Sequence, residues 1–131
     1  NAPAVRIECV EPRLNKKIEA RFYKGHLAIR VPGGALGLNE GRPEYEFMTH
    51  QVVTLVRAFR VAEKVIPRFD LATHPDCGAL GGSLSTEQEE MERHPPILHG
   101  ARAQMLLLQP DAIVRTGIRE MTKGSIIPVH P

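Results

Sequence analysis

Apolar positions recur along the chain first at every second residue and then at every fourth. Over residues 4–10 they place Val5, Ile7 and Cys9 on one face, which predicts a strand. Residues 14–23 carry apolar side chains along one helical face and are followed by a glycine, which predicts a short amphipathic helix. The chain therefore begins with a strand and then a helix.

The middle of the chain repeats this order with a longer helix. Residues 26–31 predict a second strand. Residues 32–43 are rich in glycine and proline and predict a loop whose length is typical of a functional segment. A helical stripe of apolar residues between Met48 and Ala62 predicts a helix over residues 44–65.

Two shorter helical segments follow, separated by a pair of prolines. Ser85 stands three residues before Gln88, the spacing of a capping box, and so predicts a helix over residues 86–93. Pro95-Pro96 predicts a break, because proline lacks the backbone N–H that a helix interior needs. Apolar residues at helical spacing predict a second helix from there to Leu108.

Three further strands are predicted, one before these helical segments in the chain and two after them. One is predicted over residues 68–73, and two more, over 112–118 and 125–129, read as a pair joined by a turn. The alternation of strands and helices predicts an α/β fold with a mostly parallel sheet, in a single domain over residues 1–131. In such sheets, ligands bind beyond the carboxyl ends of the strands, where the strand order reverses.

Composition and charge exclude several classes of protein. The chain has 131 residues, enough to bury about two thirds of its unfolded surface. The longest apolar run has four residues, far short of the ~20 of a membrane span, and no apolar leader opens the chain. The net charge of +2 is scattered rather than gathered into a basic stripe, which argues against nucleic acid as a partner. A soluble, cytoplasmic protein is expected.

Two cysteines, Cys9 and Cys77, allow three interpretations: a disulfide, two buried free thiols, or two thiolates on a metal. A cytoplasmic setting disfavours the disulfide, because thiols there are kept reduced. Cys9 stands near the end of the first strand, and His74 and Cys77 stand just after the third. Two thiolates and one imidazole are a known catalytic zinc set that leaves a fourth position for water or substrate.

The spacing of these residues resembles two signatures of the β-class carbonic anhydrases. Cys9-Val10-Glu11-Pro12-Arg13 is similar to the family's Cys-x-Asp-x-Arg, and His74-Pro75-Asp76-Cys77-Gly78 is similar to His-x-x-Cys-Gly. Between them, Arg30-Val31-Pro32-Gly33-Gly34 resembles the family's Arg-Asn-Ala-Gly segment. In order of elements, the resemblance covers most of the chain.

The resemblance implies a fold, a cofactor and a reaction. The fold is a four-stranded parallel sheet in the order 2-1-3-4, with an added C-terminal edge strand and helices on both faces. The cofactor is one Zn²⁺ per chain, held by Cys9, His74 and Cys77. The reaction is the hydration of CO2, a small-molecule substrate, to bicarbonate through zinc-bound hydroxide. A homodimer or a higher homo-oligomer is also implied.

Glu11 stands where the family has an aspartate, and its side chain is one methylene longer. The family's aspartate pairs with the arginine of the signature and accepts a hydrogen bond from the zinc-bound water, so Glu11 and Arg13 are the candidate catalytic residues. In a closed, inactive form of the family, the same aspartate binds the metal instead.

Two other functions stay open at this point. The same fold and zinc site could hydrolyse a linear analogue of CO2, either CS2 or COS. Alternatively, the chain is a non-catalytic zinc-binding scaffold domain in which Glu11 closes the metal shell. The sequence singles out no proton shuttle among the remaining histidines, and each of them is expected at the surface or in packing: His26, His50, His94, His99 and His130.

Overall fold

The computed structural model of the chain describes residues 4–9, 27–65, 68–75, 77, 79, 86–120 and 126–130. Within these ranges the chain forms five strands and three helical segments. The strands are β1 (Ala4–Cys9), β2 (Leu27–Val31), β3 (Arg68–Thr73), β4 (Val114–Arg119) and β5 (Ile126–Pro128). The helical segments are a 3₁₀ helix (Gly34–Leu38), α1 (Tyr45–Val61) and α2 (Glu87–Leu108).

The five strands form one sheet in the order β2-β1-β3-β4-β5. The first four are parallel, and β5 pairs antiparallel with β4 at the edge. The expected α/β fold, its 2-1-3-4 strand order and its added edge strand are thereby confirmed. The helix expected over residues 14–23 lies outside the described residues.

One face of the sheet packs against α1 and α2 and forms the main core. Alternation along β1 and β3 places their apolar side chains on this face, and a helical stripe on each α-helix covers them. Each fully buried Leu, Ile or Phe contributes about 1.5–3 kcal/mol. The core residues include Val5, Ile7, Phe69, Leu71 and Ile118 of the sheet and Met48, Val52, Leu98, Ala101 and Met105 of the helices.

The opposite face of β1 carries two charged residues, Arg6 and Glu8, that are nevertheless buried. Arg6 and Glu8 are only 3% and 2% exposed, so β1 is covered on both faces. The Glu8 carboxylate accepts hydrogen bonds from Arg6 (2.8 Å) and from Arg119 of β4, and it pairs with Arg30 of β2 at 3.1 Å. Glu8, which directly precedes Cys9, thus links β1 to β2 and β4 through its carboxylate.

The course of α2 differs from the sequence prediction at Pro95-Pro96. A break at Pro95-Pro96 was expected, but the helix runs through both prolines without ending. Each proline removes one helical hydrogen bond at a cost of about 3 kcal/mol. His94 directly precedes the prolines and Leu98 lies two residues after them, and both are fully buried in the same stripe. Tertiary packing therefore outweighs the local preference.

The N-cap of α2 is Thr86, one residue later than the expected cap, Ser85. The Thr86 hydroxyl accepts a hydrogen bond from the Glu89 backbone N–H at 3.1 Å and caps the helix. Ser85 lies outside the described residues. Neither α-helix described here is both long and apolar enough to cross a membrane.

Residues 33–38, expected as part of a loop, are entirely buried and include the 3₁₀ helix. Gly34 has a φ of +55°, and a Cβ there would lie 2.6 Å from the Cys9 nitrogen and 2.7 Å from the Glu8 carbonyl carbon. Only glycine lets the segment approach the end of β1 this closely. The 3₁₀ helix is thereby held against the carboxyl ends of the strands.

We expect Gly34→Ala to destabilise the protein more than Gly41→Ala, its matched control. Both glycines have positive φ, but a Cβ at Gly41 meets no atom within 4 Å. Gly41→Ala should cost about 1–3 kcal/mol of backbone strain. Gly34→Ala adds steric overlap and should cost at least about 2 kcal/mol more. Urea unfolding measures both, and equal losses would contradict the close approach.

We expect Glu8→Gln to lower the free energy of unfolding by about 3–5 kcal/mol, because it leaves buried guanidinium groups without their shared carboxylate. Glu44→Gln is the control, since Glu44 pairs with Arg42 at 3.2 Å on the surface and should cost at most about 1 kcal/mol. Chemical denaturation of both variants checks the difference. A loss at Glu8 no larger than at Glu44 would count against the buried cluster.

Candidate metal centre

Three potential metal ligands meet at the carboxyl ends of two neighbouring strands. Cys9 is the last residue of β1, and His74 and Cys77 follow the end of β3. Because β1 and β3 are parallel neighbours, these ends lie at the same edge of the sheet. One ligating atom from each of the three residues lies within 4.8 Å of the others. The structure thus brings together the residues that the sequence singled out.

The two cysteines are free thiols and do not form a disulfide. Cys9 Sγ lies 3.7 Å from Cys77 Sγ, whereas a disulfide bond measures about 2.05 Å. Both side chains are buried, with 8% and 2% of their surface exposed. Of the three interpretations of the cysteines, buried thiols and metal-binding thiolates therefore remain.

The separation of the sulfurs fits a tetrahedral zinc site. With Zn–S bonds of about 2.3 Å, two sulfurs on one tetrahedral ion lie about 3.8 Å apart. The observed distance between Cys9 Sγ and Cys77 Sγ is 3.7 Å. Two sulfurs and one imidazole also form a soft donor set, which favours zinc over magnesium or calcium. The residues present fit a zinc ion.

The His74 ring is held in one orientation by its own loop. Its Nδ1 lies 2.8 Å from the Pro75 carbonyl oxygen. Since a carbonyl oxygen only accepts, Nδ1 carries the proton and the lone pair belongs to Nε2. This arrangement, a backbone carbonyl on one ring nitrogen and the lone pair on the other, is usual for a metal-binding histidine.

The surroundings of Cys77 favour its thiolate form. The pKa of Cys77 is lowered to about 4, first by the hydrogen bond from Cys9 and further by His74 and the Ala79 backbone, while burial opposes the shift. The Gly33 backbone N–H donates to Cys9 Sγ at 3.4 Å. Because the thiolate is the form that binds metal, Cys77 is ready for that role at neutral pH.

Apolar side chains enclose the sulfurs. Leu36 of the 3₁₀ helix forms a buried cluster with Cys9 and Cys77, and Ile97 of α2 packs against it. The 3₁₀ helix is fixed in turn by Asn39, whose side chain amide donates to the carbonyl oxygens of Leu36 (3.2 Å) and Ile97 (3.1 Å). The 3₁₀ helix and α2 thus supply an apolar wall beside the sulfurs of the candidate metal centre.

Each histidine outside the ligand set is expected at the surface or in packing, and the sequence does not show that His94 is one of those in packing. His94 is fully buried, and its Nδ1 lies 2.7 Å from the Thr73 hydroxyl, one residue before His74. Its spacing of four residues from Leu98 is the signal that would have found it. The expected break at Pro95-Pro96 hid this spacing. Glu11 and Arg13, the candidate catalytic residues, lie outside the described residues.

Comparisons with known proteins bear on the fold. No protein-family model matches the sequence, and no curated protein matches it significantly. Among solved structures, the chain resembles a carbonic anhydrase from Streptococcus mutans, with 16% identity, a TM-score of 0.58, and coverage of 98% of this chain and 84% of that one. It also resembles β-carbonic anhydrase isoform I from Trichomonas vaginalis, with 14% identity, a TM-score of 0.63 and the same coverage.

A third similar structure is a β-carbonic anhydrase from Aspergillus fumigatus, with 13% identity and a TM-score of 0.54. All of this chain and 78% of the Aspergillus chain are covered. These likenesses run through nearly the whole chain, and the sheet order agrees with them. The chain therefore has the fold of the β-carbonic anhydrases.

Proposed function

We propose that the chain binds one zinc ion through Cys9, His74 and Cys77 and catalyses the reversible hydration of CO2 to bicarbonate. The observation that carries this proposal is the convergence of two free thiols and an imidazole within 4.8 Å at one edge of the sheet. The fold of β-carbonic anhydrases supports the reaction. We further propose that the protein acts in the cytoplasm as a homodimer or a higher homo-oligomer.

Zinc, when bound, would supply Lewis-acid activation of a water molecule near neutral pH. The residues of this chain would set how strongly it does so. Two thiolates offset the charge of a divalent ion, and the Gly33 N–H draws charge from Cys9 Sγ. A carboxylate that accepts a proton or a hydrogen bond nearby is therefore useful, and Glu11, oriented by Arg13, is proposed for that role.

The apolar wall suits an uncharged substrate. Leu36 and Ile97 offer no hydrogen bonds from their side chains, so they disfavour bulk water beside the sulfurs. CO2 has no net charge and loses little on entering such a site. Bicarbonate is charged, so the same surface would favour its release into solvent.

We expect the purified protein to contain about one zinc per chain by elemental analysis. Cys9→Ser, Cys77→Ser and His74→Ala should each lose most of the metal, because each removes one of the donors within the cluster. His50→Ala is the control, since His50 is exposed on α1 and far along the chain from the donors. Full zinc content in the three donor variants would contradict the proposed site.

We expect stopped-flow measurements to detect CO2 hydration by the zinc-loaded protein. Glu11→Gln and Arg13→Gln should keep their zinc and lose activity by roughly 10²-fold or more, the size typical of removing a positioned acid–base group. Glu11→Asp should retain activity. A zinc-replete protein that is inactive until Glu11 is replaced by aspartate would instead identify a scaffold whose metal shell Glu11 closes. Turnover of COS or CS2 in preference to CO2 would reassign the substrate.

A further inference from the structure

His94 lies in the buried stripe of α2, where the other positions are apolar. The buried stripe of this helix continues from His94 through Leu98, Ala101 and Met105, at spacings of three or four residues. All four residues are fully buried. The last three belong to the main core, whereas an imidazole brings two polar nitrogens into the same layer.

The two nitrogens of His94 have different surroundings. Nδ1 lies 2.7 Å from the Thr73 hydroxyl. Nε2 is buried and has no hydrogen-bond partner among the described residues. A buried polar atom without a partner costs about 1–3 kcal/mol, and a leucine at this position would avoid that cost. Packing alone therefore does not account for the imidazole, and the hydrogen bond that it makes within the described residues is to Thr73.

Thr73 is the last residue of β3 and is itself 2% exposed. His74 follows it directly, so the place where β3 ends determines where the His74 ring stands. Burial lowers the pKa of His94, which favours the neutral imidazole. Because Thr73 directly precedes His74, the hydrogen bond between His94 and Thr73 links α2 to the candidate metal centre.

We propose that His94 is a positioning residue of the metal centre. Its hydrogen bond to Thr73 fixes the end of β3 against α2 and so holds His74 where it can share an ion with Cys9 and Cys77. This inference rests on the proposed function, because it takes the three residues to be metal ligands. It adds a role for two residues that lie outside the ligand set.

The test uses Co²⁺ as the probe, because its ligand-field absorption reports the donors and their geometry without any measurement of activity. His94→Leu and Thr73→Val each remove the hydrogen bond between α2 and β3. We expect both to bind Co²⁺ about 10–100-fold more weakly than the unaltered protein, with a changed spectrum. The double variant should bind no more weakly than either single variant, since both changes remove the same bond.

Conservative variants distinguish the roles of Nδ1 and Nε2 of His94. The side-chain amide of asparagine reaches about as far as Nδ1 of histidine, and that of glutamine reaches about as far as Nε2. His94→Asn and Thr73→Ser should therefore restore the affinity and the spectrum, while His94→Gln should not. Equal behaviour of His94→Asn and His94→Gln would overturn the role assigned to Nδ1.

Stability of the metal-free protein distinguishes positioning from general support of the fold. In the double variant His94→Leu/Thr73→Val both partners of the hydrogen bond are replaced by apolar side chains. Its urea midpoint without metal should therefore equal or exceed that of the unaltered protein while its Co²⁺ affinity falls. Thr73→Val tests the same bond should the leucine variant fail to fold. A normal spectrum and affinity in Thr73→Val would overturn the inference and leave the proposed function standing. Failure of the unaltered protein to bind Co²⁺ through thiolate would overturn the proposed function itself.

Discussion

The parallel pairing of β1 with β3 is the constraint on which the candidate metal centre depends. Ala4 to Ile7 lie opposite Arg68 to Leu71, and this register brings the end of β1 beside the loop that follows β3. A shift by one residue would turn Cys9 to the opposite face of the sheet, among the charged side chains. The distance between the two sulfurs is thus set by strands whose other contacts lie in the core.

Two chemically different layers hold that register. On one face, apolar residues such as Ile7 and Leu71 pack against α1 and α2. On the other face, the Glu8 carboxylate joins β1 to guanidinium groups of β2 and β4. Hydrophobic contact is tolerant of small shifts, whereas a buried carboxylate with several donors is not. The charged layer therefore supplies geometric precision immediately next to Cys9.

Local patterns were sufficient for the strands and for singling out the three donors, because period and spacing survive in a single sequence. The order of the strands came from the resemblance to the β-carbonic anhydrases and not from the patterns. They failed where tertiary packing decides. Pro95-Pro96 marks a break by every local rule, yet α2 continues because the residues around it are buried. The burial of Arg6 and Glu8 was equally invisible, since alternation reveals which side chains share a face but not what covers it. For the first of these reasons the sequence did not show whether His94 lies at the surface or in packing.

The sequence of the segment that connects β2 to α1 predicts a loop, but part of this segment is buried in the interior of the protein. Residues 33–38 are buried, and Gly34 touches the backbone of β1. Connecting segments usually absorb insertions and deletions with little harm. Here that freedom applies to residues 40–43, which are all exposed. Changes in length between Gly33 and Leu38 would act as core mutations, so an affinity tag or a fused domain belongs at Gly41.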